Sequence, residues 1–145
     1  MEAIHESVVL NEPCPSGGTH EVFYADTFRA RHSVHREIRC ERCGDVSAAN
    51  YAELPSEEVR QAILVKHGAW EAHIAPSARL KAISAVRELL ALSLDDARAR
   101  VTPGSPVIRG THAEAASFAN ELAKRGVDPR GLSLVQAGGG PAASA

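Results

Sequence analysis

The strongest constraint in this sequence is a pair of cysteines two residues apart, "CERCGDV" at residues 40–46, in a chain with one further cysteine, Cys14. A C-x-x-C turn offers two thiolates to one point in space, which is half of a tetrahedral zinc site. The other half has to come from elsewhere in the chain. With a single additional thiol available, a four-ligand site needs at least one histidine. His20 follows Cys14 in "CPSGGTH", a stretch rich enough in Pro and Gly to curl both side chains toward one spot. His32 and His35 are the alternatives to His20 as the fourth ligand. Between the two ligand turns, "EVFYADTF" and "HREIRC" alternate apolar and polar residues, the period of half-buried strands. They read as a hairpin that brings the turns together.

Two ligand-bearing turns joined by strands resembles the zinc-ribbon family over residues 8–48, with Cys14, His20, Cys40 and Cys43 as the implied ligands of one Zn2+. The first turn departs from the family's usual C-x-x-C, being C-x5-H. A forty-residue module with so few large apolar residues is expected to take its folding free energy from the ion. Two rival chemistries are weaker on the residues themselves. A thioredoxin-like redox pair wants its C-x-x-C at the start of a helix, whereas Gly44 and Asp45 follow here. A catalytic zinc needs an open position and a neighbouring base, for which Glu21, Glu37 and Glu41 are the nearby carboxylates.

Composition narrows the partners. Hydrophobic residues are 44% of the chain and allow a packed core, but aromatics are 4%, too few for a stacking platform of the kind single-stranded nucleic acid binders use. The net charge of −2 argues against a general DNA-coating protein. The charge is unevenly spread. Residues 1–68 carry 7 Lys/Arg against 11 Asp/Glu, a net of −4, and residues 69–145 carry 9 against 7, a net of +2. The halves thus read as two modules with different faces. An odd cysteine count with C-x-x-C spacing fits a reducing cytoplasm better than a disulfide scaffold. No apolar run has the length of a membrane span, and the acidic start "MEAIHESVVLNEP" is unlike an export signal.

The rest of the chain reads as helices and short strands. "PSEEVRQAILVKH" has Ser56 to cap it, Glu57 and Glu58 in the first turn, Lys66 and His67 in the last, and Gly68 to stop it. It is read as a helix connecting two modules, with Trp70 anchoring the junction with it. Beyond it, "AWEAHIA" is strand-like and "ARLKAISAVRELLAL" puts Leu80, Ile83, Val86, Leu89 and Leu90 forward as core. "SLDDARARV", "PVIRG", "HAEAASFANELAKRG" and "LSLVQA" follow as helix, strand, helix and strand. The order is β-α-α-β-α-β, and "GGGPAASA" closes the chain as a tail expected to be disordered.

Residues 69–138 resemble the C-terminal domain of the bacterial ribosomal stalk protein. The resemblance lies in Ile83, Ala85, Val86 and Arg87, then Leu92 and Leu94, then Asp96-Ala97-Arg98 and Val101, and extends through Pro106 and Glu114-Ala115 to Gly126. It implies an α+β domain whose first two helices present a basic face to translational GTPases, with Arg79, Arg87 and Arg98 at basic family positions. Ser84 and Asp95 stand where the family has lysines, and Ala91 and Ser93 replace the glycines of its turn. The family's dimerisation helices and hinge have the ribbon and the helix in their place. The same fold also resembles the peptide-binding adaptor of the Clp protease, whose acidic entry motif is not found in "EAHIAPSARL".

The expectation is therefore an α+β chain. It has a zinc-ribbon-like module at 1–50, a connecting helix at 51–68, a stalk-like domain at 69–138 and a tail at 139–145. Its expected role is that of a non-enzymatic, zinc-binding cytoplasmic protein that docks on a ribosomal component, a translational GTPase or RNA polymerase, with nucleic acid as the other acidic surface its basic face could meet. A zinc-dependent enzyme or biosynthetic accessory protein with an open metal site, and a protease adaptor binding peptide termini, are the alternatives.

Overall fold

The computed structural model describes residues 3–139; the tail read as disordered lies, from residue 140 on, outside the described residues. The chain is α+β with two antiparallel sheets, and it divides into two compact units, Met1–His67 and Gly68–Ala145.

The first unit is a four-stranded antiparallel meander of β1 (Ile4–Pro13), β2 (Thr19–Phe28), β3 (His32–Arg39) and β4 (Val46–Ala52), followed by α1 (Glu57–His67). Alternation along the strands puts Val8, Val22, Tyr24, Val34 and Ile38 on one face, where Val59 and Ile63 of α1 pack against them. Val22, Val34, Val59, Ile63 and Phe28 are fully buried, each contributing about 1.5–3 kcal/mol of transfer free energy. Thus α1 is not a free connector. It completes the core of the first unit, and none of the four ligand candidates is among that core's residues. The Val59 amide donates to Ser56 Oγ at 3.3 Å, capping α1. At its other end Lys66 and His67 both donate to the Ser7 carbonyl on β1. The strand β4 carries no large β-branched or aromatic run, only "VSAANYA", which is why alternation did not reveal it.

The second unit runs β5 (Trp70–Ile74), α2 (Arg79–Leu90), α3 (Leu94–Arg100), β6 (Ile108–Gly110), α4 (His112–Lys124) and β7 (Leu132–Gln136), with 3-10 turns at Pro76–Ala78 and Pro129–Gly131. This is the expected β-α-α-β-α-β order. The sheet is β6-β5-β7, with β5 antiparallel to both neighbours. Its core is alanine-rich: Ala72, Ala82, Ala85 and Ala97 let the helices approach closely around Ile83, Val86, Phe118 and Leu122.

Leu80 overturns one expectation. It is 84% exposed, because at 100° per residue it projects well away from the centre of the Ala82–Ala85–Val86–Leu89 face. Within its own unit Trp70 is half-buried and stacks on His112 of α4, with ring centroids 3.7 Å apart and planes within 4°. Two helix ends are set by unusual residues. Ala91 closes α2 in the left-handed region at φ 52°, a conformation suited to glycine. Thr111 and Glu114 form a reciprocal capping box on α4, and a Cβ at Gly110 would lie 2.2 Å from Glu114 Oε1.

Candidate metal centre

The four ligand candidates sit at one end of the first unit's meander. Cys14 follows directly on β1 and opens a tight turn in which its amide donates to Gly18 O at 3.0 Å and the Gly17 amide returns to Cys14 O at 2.9 Å. Gly17 and Gly18 have φ of 101° and 65°, a region that side chains with a Cβ rarely enter. His20 is the second residue of β2. The turn between β3 and β4 is built alike: Cys40 N donates to Asp45 O at 2.8 Å, and Gly44 N, at φ 76°, donates to Cys40 O at 2.9 Å.

These turns bring three sulfurs and one imidazole to a point. Cys14 Sγ lies 3.8 Å from Cys40 Sγ and Cys43 Sγ lies 3.7 Å from His20 Nδ1. All four ligand atoms fall within 4.8 Å of one another. A tetrahedral ion with Zn–S of about 2.3 Å and Zn–N of about 2.0–2.1 Å requires S···S edges of about 3.8 Å and S···N edges of about 3.6 Å. The cluster therefore has the dimensions to bind a metal ion such as zinc. Cys14 and Cys40 are buried and Cys43 and His20 half-buried, so an ion there would be shielded from bulk water.

The protein already favours deprotonation at one sulfur. The Cys43 amide, donating to the Cys40 sulfur, and the His20 ring bring the Cys40 thiol from 9.0 down to about 6, against the effect of burial. At Cys43 the Asp45 amide also favours thiolate, but burial and the adjoining Cys40 and Cys14 groups outweigh it and push the thiol up. Loading a divalent ion at neutral pH would therefore release a proton from Cys43.

Of the three histidines that competed for the fourth position, the structure brings only His20 to the sulfurs. His32 is spent on Asp26, with which it forms a buried pair, and His35 contacts Glu37 and Asn50. Glu21, Glu37 and Glu41 are exposed. The shallow depression of about 450 Å³ that Glu21 and Glu37 line contains none of the four ligands. The chain itself supplies four candidate ligands at that point.

In the second unit the three basic residues separate. Arg87 and Arg98 are exposed, Arg98 with Asp95 3.9 Å away. Arg79 is half-buried and donates from Nε to the Val101 carbonyl at 3.0 Å, fastening α2 to the end of α3. His73 contacts Glu71 at 3.0 Å within its own strand.

Sequence reasoning missed one residue of the metal end, Arg42, which lies between the two thiols of the second turn and bonds to the first. Only the position of an arginine inside C-x-x-C could have signalled it. No helix among the described residues is long and apolar enough to cross a membrane. No family model, curated protein or solved structure matches this chain.

Proposed function

We propose that Cys14, His20, Cys40 and Cys43 hold one structural Zn2+ in a zinc-ribbon-like end of the first unit. We further propose that the second, stalk-like unit docks on a component of the translation or transcription machinery. The observation that carries the zinc reading is the convergence of three sulfurs and one imidazole within 4.8 Å of one another, with the Cys14–Cys40 and Cys43–His20 separations of 3.8 and 3.7 Å close to the edges of a tetrahedral site. When bound, zinc would cross-link the two turns. With four protein ligands it would have no open position for substrate or water, so the role is architectural.

The docking reading is supported by the β-α-α-β-α-β order and by what α2 and α3 leave exposed. Arg87 stands seven residues after Leu80, on the same side of α2, so an apolar anchor and a guanidinium share one stripe, with Arg98 exposed on α3. Such a face suits an acidic protein surface, recognised by charge complementarity around an apolar contact. Arg79, tied to Val101, supports the helix pair from beneath.

Metal analysis of the purified chain tests the first half: one equivalent of zinc, lost or weakened in His20→Ala, is expected, and absence of zinc defeats it. For the second half, pull-downs with the intact chain are expected to recover a ribosomal, GTPase or polymerase component. Recovery should fall as salt rises and in an Arg87→Glu/Arg98→Glu variant. Recovery of no such component removes the docking reading while leaving the zinc site standing.

A further inference from the structure

The two ligand turns belong to different hairpins, and the ladder between those hairpins stops short of them. Pairing of β2 with β3 ends at Val22↔Ile38, so His20 and Cys40 both lie beyond the last paired residues. Each turn is closed by its own backbone bonds, Cys14 with Gly18 and Cys40 with Asp45, but those bonds do not join one turn to the other.

Arg42 does join them. Its Nη1 donates to the Gly17 carbonyl at 3.0 Å and its Nη2 donates to the Thr19 carbonyl. In return, Ser16 Oγ donates to the Arg42 carbonyl at 3.2 Å. The two carbonyls taken by the guanidinium flank Gly18, at which a Cβ would sit 3.4 Å from Arg42 Nη1. Thr19 directly precedes the ligand His20, and Arg42 directly precedes the ligand Cys43.

We propose that Arg42 is a positioning residue for the metal site: its planar fork ties the Cys14–His20 turn to the Cys40–Cys43 turn and holds the two ligand pairs at coordinating separation before an ion arrives. The inference rests on the zinc reading above. Its physical basis is preorganisation, since an ion that finds its ligands in place does not have to order two turns on binding. A lysine could reach one carbonyl with its point charge, whereas arginine's fork reaches two.

The test uses the full-length chain loaded with zinc and titrated with a chromogenic chelator. Arg42→Ala is expected to weaken zinc binding about tenfold to a hundredfold, the range seen when outer-shell partners of metal sites are removed. Arg42→Lys should fall between Arg42→Ala and the native chain, and Arg31→Ala, an exposed arginine at the β2–β3 turn, should match the native chain. A native protein that holds one zinc while Arg42→Ala binds it within twofold as tightly overturns the proposal and leaves the zinc reading intact. Backbone relaxation of the metal-free protein separates the two readings further. Arg42→Ala is expected to raise the mobility of the Gly17 and Gly18 amides while the unfolding midpoint of the Val22–Ile63 core holds. Unchanged relaxation overturns the strut even if the chain proves to bind no zinc.

Discussion

Cys14 and Cys40 stand 26 positions apart in the chain, yet their sulfurs are 3.8 Å from each other. Neither residue sits in a paired stretch that would force this approach, so the contact records two turns folded to a common point. With Cys43 and His20 beside them, they form one cluster, and its geometry favours the Cys40 thiolate.

In the metal-free protein, Cys40 should ionise well before Cys43. Its folded value is depressed to about 6 from 9.0, led by the Cys43 amide. A depressed acid stabilises the fold in full above its unfolded value, and that stabilisation fades as pH falls through the folded one. The relevant window is therefore about pH 9 down to about pH 6. Thiolate absorbance at 240 nm is expected to show a step near pH 6 that disappears in Cys40→Ser; a step that survives would assign it elsewhere.

Helix α1 should prove inseparable from the first sheet. Ile63 is fully buried against β-strand residues, so Ile63→Ala is expected to cost about 2–5 kcal/mol, read from denaturant midpoints. A fragment of residues 1–67 should melt cooperatively with zinc present, whereas residues 1–50, stripped of Val59 and Ile63, should not.

Ala91 offers a stabilising change. At φ 52° its Cβ crowds the following carbonyl, a cost of about 1–2 kcal/mol that glycine avoids while losing about 0.5–1 kcal/mol of chain entropy. Ala91→Gly is expected to raise the stability of the second unit by about 0.5–1 kcal/mol. Thermal denaturation with an unmoved or lowered midpoint would contradict this.

Thr111→Ala should do the reverse. It removes the side chain that accepts the Glu114 amide at 3.1 Å and breaks the capping box of α4. The expected loss is about 1–2 kcal/mol, larger than for an exposed cap because Thr111 is fully buried. Thr111→Ser, which keeps the hydroxyl, should recover most of it in the same melt.

Much of this was legible in the sequence because it depends on local signals. Ser56 before Glu57 and Glu58 marked α1, and the strand–helix order of the second unit followed from its stops and periodicities. The ligand candidates Cys14, Cys40 and Cys43, which the fold brings together, announced themselves by chemistry alone. What escaped depends on tertiary placement. Choosing among His20, His32 and His35 required knowing that Asp26 captures His32. The strand β4 is too small in its side chains to show a pattern, and Leu80 matched a helical period loosely while falling off the buried arc. The role of α1 in the first core had no sequence signature, since an amphipathic helix does not declare which surface it will cover.

The ladder of the first unit has a further consequence for how such a centre tolerates insertion. Strand β2 meets β3 from Phe28↔His32 back to Val22↔Ile38, and the loop joining them lies at the pole away from the sulfurs. Lengthening both strands by two residues would keep every side chain on its own face and leave the ligands unmoved, although the gap between Cys14 and Cys40 would grow. Paired register, and not the number of intervening residues, is the quantity that such proteins have to hold constant.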